Sequence, residues 1–302
     1  MEKPYILHMF TPSKNVSPFD VNMAYDAGYQ AVVPYTDLSV DQVAAYTQDA
    51  IFSRGPTGVR RTGIFLGGRD IGVAYDMMDN VRKAMVQHFE VSVFADPSGA
   101  FTTAAAMIAA VEHQLKKQFG LGLEGRNVVL LGGTGPVGSA AAVLASSAGA
   151  RVRVASHVGL ARARIAAETV NARYNATAEP ADMSDVKSIN ALLADAEVLL
   201  GTAKAGVQVA SAEQLQGCLQ LKVAADLNAV PPAGIAGIAL TDHGVPLPAG
   251  SGVAVGIGAL AVGNIKYQVM HGMFDRMLKA DRAVYLDFRD AFIYAREKVA
   301  AI

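Results

Sequence analysis

Apolar and polar residues follow two rhythms along this chain. Short, nearly unbroken apolar runs recur, and each is followed by a longer stretch in which apolar residues return every three to four positions. Residues 5–10, 31–35, 62–68 and 91–96 read as strands. Residues 19–27, 41–52 and 70–89 read as the helices between them. Ser17 and Ser39 are candidate N-caps, and Pro18 suits a first helical position. In the third helix Val73, Met77, Val81, Ala84 and Met85 keep a helical period. Repeated strand–helix units predict a parallel sheet covered by helices.

The pattern breaks at Pro97, Ser98 and Gly99, then continues as an Ala-rich helix over 102–119 that ends in two lysines and Gly120. The domain boundary is expected in or near this helix. A second strand–helix series starts at Asn127. Its strands are 127–131, 151–156, 197–201 and 223–226, with helices over 138–147, 161–174, 260–279 and 288–300. The run Val128–Leu131 is apolar on both faces, as a buried parallel strand should be. The fold class expected is α/β with two domains.

Composition narrows the function. The 302 residues carry 26 Lys plus Arg against 27 Asp plus Glu, a net charge of -1, which argues against nucleic acid or an anionic membrane surface as partner. The single cysteine, Cys218, excludes an internal disulfide and Cys-rich zinc sites. No metal, flavin or haem site is suggested. No signal peptide or spanning segment is legible, because glycine and proline interrupt the two long uncharged stretches. A cytoplasmic protein is expected, and the apolar composition favours a homo-oligomer.

One motif carries chemistry. Gly133, Thr134, Gly135, Pro136, Val137 and Gly138 fit G-x-G-x-x-G directly after an apolar strand and at the start of a small-residue helix. Glycines there permit a tight turn and close approach to a pyrophosphate, and the helix N-terminus favours the anion. A plain strand–helix turn is the competing reading. At the end of the next strand stand Ser156 and His157, where NAD-specific folds carry an acid for the ribose 2′-OH, and Arg162 and Arg164 follow. Without that acid a 2′-phosphate meets no repulsion, so NADP is expected alongside NAD. The competing reading is a solvated helix start. Two later loops, at Ala203 and at Asn228, lie at strand C-termini and are candidates for the nicotinamide end. Tyr294 and Lys298 match a Tyr-x-x-x-Lys spacing but are read as one face of the last helix.

The distributed motifs together resemble one family. These are Ser17-Pro18-Phe19-Asp20-Val21, Phe65-Leu66-Gly67-Gly68, the run from Asp96 to Ala106, Gly132–Gly138, Asn228–Ile235 and Gly256–Leu260. The chain resembles the bacterial NAD(P)-dependent methylene-tetrahydromethanopterin dehydrogenases, closest to the branch that uses both nucleotides. The resemblance implies a pterin-binding domain, taken as 1–107 with 280–302 packing back on it, and a Rossmann-like NAD(P)-binding domain over 108–279. It implies an active site between them and hydride transfer from the methylene pterin to NAD(P)+. The folate-specific sister branch is Lys-rich after Gly-Ile-Gly-x-Leu, whereas here the nearby lysine is Lys266.

Loss of hydride leaves a cation, so a carboxylate near the reacting ring is favourable. Asp20 and Asp96 both lie at strand C-terminal edges and are the candidates, with Lys266 as a third catalytic candidate. Asp20 also reads as a first-turn helix acid, and Asp96 as a turn-initiating residue. Lys14, Ser98, Thr102 and Thr103 are candidate pterin contacts. The alternatives are a methylene-tetrahydrofolate dehydrogenase and a non-catalytic NADP(H) sensor. A shikimate- or amino-acid-dehydrogenase-like enzyme would need a Lys–Asp proton-transfer pair that is not evident.

Overall fold

The computed structural model describes residues 2–301. The chain forms two compact units: Met1–Thr102 with Tyr267–Tyr294, and Thr103–Lys266 with Ala295–Ile302. The first holds five parallel strands, β1 (Ile6–Phe10), β2 (Ala31–Tyr35), β3 (Thr62–Leu66), β4 (Ser92–Ala95) and, much later in the chain, Tyr285–Leu286. Their spatial order is Tyr285–Leu286, β4, β3, β1, β2. β3 and β4 are buried on both faces, which explains why they read as unbroken apolar runs.

The second unit has seven strands: β5 (Asn127–Leu131), β6 (Arg151–Ser156), β7 (Ala178–Asp182), β8 (Val198–Gly201), β9 (Val223–Asp226), β10 (His243–Pro246) and β11 (Val255–Ile257). The order is β10-β11-β9-β8-β5-β6-β7, parallel except for β10. The chain starts in the centre at β5, runs outward through β6 and β7, then returns to β8 on the other side. That reversal beside β5 is the position where open α/β sheets bind ligands.

The helices follow the capping chemistry. Pro18–Ala27 starts after Ser17 and stops at Gly28, in the left-handed region at φ 115°. Asp70 caps Ile71–Ala84 by accepting from the N–H groups of Gly72 and Val73 at 2.7 and 3.0 Å. That helix ends at Ala84 rather than at 89, because Met85 turns to extended backbone at φ -66°, ψ 144°. The Ala-rich helix runs from Ala100 to Phe119.

The expected partition differs from the observed one at the C-terminal helices. The expected boundary at 279 puts the helix Ala259–Lys279 in the nucleotide domain, yet its half from Tyr267 belongs to the first unit, as packing back on that unit requires. Its buried Phe274 meets the rings of Phe65, Phe94 and Tyr29 with centroids 5.6, 5.3 and 6.1 Å away, so this half-helix completes the first core. The first boundary falls after Thr102 rather than 107, and the last helix leaves the first unit after Tyr294. Tyr294 packs against Gly272, where a Cβ would lie 2.2 Å from its ring, in keeping with a packing role.

Candidate functional site

The glycine turn joins β5 to the helix Pro136–Ser147. Gly133 donates its N–H to the Ala155 carbonyl at 3.1 Å, which ties the turn to the end of β6. A Cβ on Gly133 would lie 2.7 Å from the Leu130 Cβ, and one on Gly138 would lie 2.5 Å from the Gly133 carbonyl oxygen. Both glycines are therefore demanded by the protein's own packing. Gly135 is different, because a Cβ there meets nothing within 4 Å. The space beside it is left for something other than protein. No side chain caps the helix that follows, and Pro136 has no N–H to give. The first-turn N–H groups are thus available to an anion. These residues fit a dinucleotide pyrophosphate.

Gly132, Thr134 and Gly135 line a cavity of ≈ 680 Å³ within the second unit. His157, Met183, Asp185, Val186 and Ile189 line one part of it, and Thr202, Ala203, Lys204 and Val207 another. Asp185 caps the next helix, Val186–Leu193, and the Ser188 N–H holds its carboxyl below the usual range. Ser156 and Arg162 are not among the lining residues. Ser156 is buried, its Oγ accepting from the Val158 N–H at 3.2 Å, so it shapes the turn that presents His157. Arg162 is exposed on the helix Leu160–Tyr174. Pro136 and Val137 contribute backbone geometry rather than cavity lining.

Asn228 has a bracing role. Its Oδ1 accepts from Gly206 and Val230, each at 3.0 Å, and its Nδ2 donates to the Pro232 carbonyl at 2.7 Å. Beneath it Asp226 is 2% exposed and accepts from the N–H groups of Asn228 and Ile235, both at 3.1 Å. Burial pushes the Asp226 carboxyl up, against the pull of those N–H groups. Gly201 and Gly234 leave room for it, since a Cβ at either would approach Oδ1 to 2.8 or 2.5 Å.

In the first unit the turns after the parallel strands interlock into one rim. Asp37 and Leu38 donate backbone N–H groups to Ser13 and Thr11 at 3.0 and 3.1 Å. Gly68 packs on Pro12, and the Ser98 hydroxyl donates to the Gly68 carbonyl at 2.8 Å. Asp37 and Ser98 both hold positive φ, at 53° and 54°. Such strain in non-glycine residues persists only where the surroundings impose it. Asp20 is 6% exposed in the first turn of its helix, and Lys14 is exposed on the loop before it. Thr103 and Lys266 are half-buried.

Asp96 and Thr102 depart from expectation. Asp96 is 0% exposed, with Oδ1 accepting from the Phe101 and Thr102 N–H groups and Oδ2 from the Thr102 hydroxyl at 2.6 Å. Both side chains are engaged in starting the helix Ala100–Phe119. The loop Gly201–Gly206 was legible as a candidate, with Ala203 rather than Lys204 singled out, but Asp185 and the apolar wall of Met183, Val186 and Ile189 were not. No strand was legible at β7, so nothing flagged the loop after it.

Comparison with known proteins follows this geometry. The family described as methylene-tetrahydromethanopterin dehydrogenase, N-terminal, matches residues 18–98. An NAD(P)-dependent methylenetetrahydromethanopterin dehydrogenase of Methylorubrum extorquens is 48% identical over 292 residues, 97% of this chain and 98% of that protein. The chain belongs to this dehydrogenase family. A second Methylorubrum extorquens relative, the bifunctional protein MdtA, is 30% identical over 97% of the chain and 98% of its own length. Shikimate 5-dehydrogenase from Listeria monocytogenes shares the fold, with TM-score 0.54 at 12% identity over 90% of this chain and 91% of that one. In this dehydrogenase the family match spans Asp20 and, of the rim, Asp37, Leu38, Gly68 and Ser98. Among the described residues no helix is long and apolar enough to cross a membrane.

Proposed function

We propose that this chain oxidises methylene-tetrahydromethanopterin to the methenyl cation with NAD+ or NADP+, as a step of one-carbon (formaldehyde) oxidation. The observation that carries this is the near full-length likeness to the Methylorubrum dehydrogenase, which runs through both units. The nicotinamide supplies the hydride acceptor. The methylene carbon lies between two nitrogens, which share the positive charge once hydride leaves. No proton is removed, so no general base is needed. The protein's task is alignment of two ring systems to about 3–3.5 Å between reacting atoms, together with tolerance of the new cation.

The first unit is the pterin-binding part, with Lys14 and Ser98 on its turns, and Thr103, the first residue of the second unit, is a further pterin contact. Asp20 favours the developing cation, and Lys266 is a further contact on the substrate side. Asp96 and Thr102 hold the rim in place. The second unit binds the dinucleotide on the glycine turn, with His157 at the 2′ end. A cytoplasmic homo-oligomer completes the reading.

The test is a steady-state assay of methylene-tetrahydromethanopterin and methylene-tetrahydrofolate, each with NAD+ and NADP+. Turnover of the methanopterin substrate with both nucleotides is expected. Asp20→Asn should lower kcat about tenfold or more with dinucleotide affinity unchanged. Turnover confined to the folate substrate assigns the sister activity. Nucleotide binding without turnover of either substrate leaves a sensor.

A further inference from the structure

The nucleotide cavity is lined by one lysine, and the chemistry above does not use it. Lys204 is the only Lys or Arg among the described residues lining that cavity. It is exposed, and its ammonium has no hydrogen bond or ion pair with another described residue. Its backbone is held firmly. Thr202 donates its N–H to the Leu131 carbonyl at 3.0 Å, anchoring the loop to the end of β5. Next, Ala203 sits against the glycine turn, because a Cβ on Gly132 would lie 2.7 Å from the Ala203 Cβ. Gly206 donates to the buried Asn228 at 3.0 Å, so the far side of the loop is braced as well.

Strand order decides which part of the nucleotide this cation can serve. β8, whose following loop carries Lys204, neighbours β5 on the side away from β6. The 2′ end of the adenosine ribose lies at the end of β6, beside His157. Lys204 is therefore on the pyrophosphate side, one residue from the contact with the glycine turn. The helix N-terminus at Gly135 supplies only about half a positive charge. A pyrophosphate carries two negative charges, so most of its charge is left unanswered by the backbone alone. A lysine ammonium on its flexible stem is suited to a point contact with phosphate.

We infer that Lys204 binds the pyrophosphate common to NAD and NADP and is the main charge anchor of the dinucleotide. The affinity then rests on a group both nucleotides share, and the 2′ end can be indifferent. This assignment rests on the dehydrogenase reading and explains how one site takes both nucleotides without an acid or an inward-facing arginine after β6.

The experiment is fluorescence titration of NADH and NADPH at low and high salt, with the wild-type protein, Lys204→Gln and Lys204→Arg. Lys204→Gln should bind both nucleotides about tenfold more weakly, by nearly the same factor, with a flatter salt dependence. Lys204→Arg should recover most of the loss. A loss confined to NADPH would move the contact to the 2′-phosphate and overturn the assignment. Equal binding by Lys204→Gln and wild type, or an Arg variant as weak as the Gln variant, would overturn it too. Wild-type protein that binds neither nucleotide would remove the dehydrogenase reading and this assignment with it.

Discussion

Three glycines within six residues of the β5 turn answer to different constraints. Gly133 and Gly138 are glycine because backbone and β-carbons of the same turn press on them, and Gly135 because of what must approach from outside. Gly138→Ala should destabilise the protein by about 1–3 kcal/mol, since the Gly133 carbonyl cannot yield as a flexible side chain could. Gly135→Ala should leave stability within about 0.5 kcal/mol, yet weaken dinucleotide binding severely. Thermal melts paired with nucleotide titrations separate the two, and equal Tm losses would contradict the division. The motif itself was fully legible, because its glycines stand between an apolar strand and a small-residue helix. Asp96 was not, since an acid before Pro97-Ser98-Gly99 looks the same in sequence whether it meets a substrate or caps a helix. Only its burial and the bonds from Phe101 and Thr102 distinguish these.

At the scale of elements, strands made of a clear apolar run were readable, including the edge strand β2, and strands without one were not. β9 was placed to the residue, whereas Ala178–Asp182 has no apolar run, since it holds two acids, one of them the exposed Glu179, and a proline. β10 and β11 pass unnoticed because they are only four and three residues long, in a glycine- and proline-rich stretch. The central strands are also tied at their N-terminal ends. Glu197 accepts from the Asn127 N–H at 3.0 Å and pairs with Arg126 at 2.6 Å and Lys222 at 3.1 Å, linking the starts of β5, β8 and β9. Burial alone would raise its carboxyl, but the Asn127 N–H and the two cations outweigh it and hold it below the ordinary 4.5. A depressed carboxyl contributes stability that is present above that value and is lost as pH falls through the folded-state pKa. Glu197→Gln should therefore cost about 1 kcal/mol at pH 7. The gap from wild type should close as pH falls below 4.5, as followed by urea unfolding across pH. A gap that persists unchanged at low pH would contradict the assignment.

Across the whole molecule, the two-domain organisation was readable from two strand–helix series broken at Pro97. The division of the C-terminal helices was not, because Ala259–Lys279 keeps one helical period while serving two units, and only the packing of Phe274 reveals the change. The pterin side is the least legible part. Its rim is made of backbone turns and strained residues such as Asp37, which no local motif announces. The central claim is hydride transfer between a methylene pterin and a nicotinamide. Its most direct test is a single turnover with methylene-tetrahydromethanopterin deuterated at the methylene carbon, followed by mass spectrometry of the nucleotide. The account predicts one deuterium on the reduced NADH or NADPH for each methenyl-tetrahydromethanopterin formed. Reduced nucleotide without deuterium, or no reduced nucleotide from a protein that binds both ligands, would contradict it.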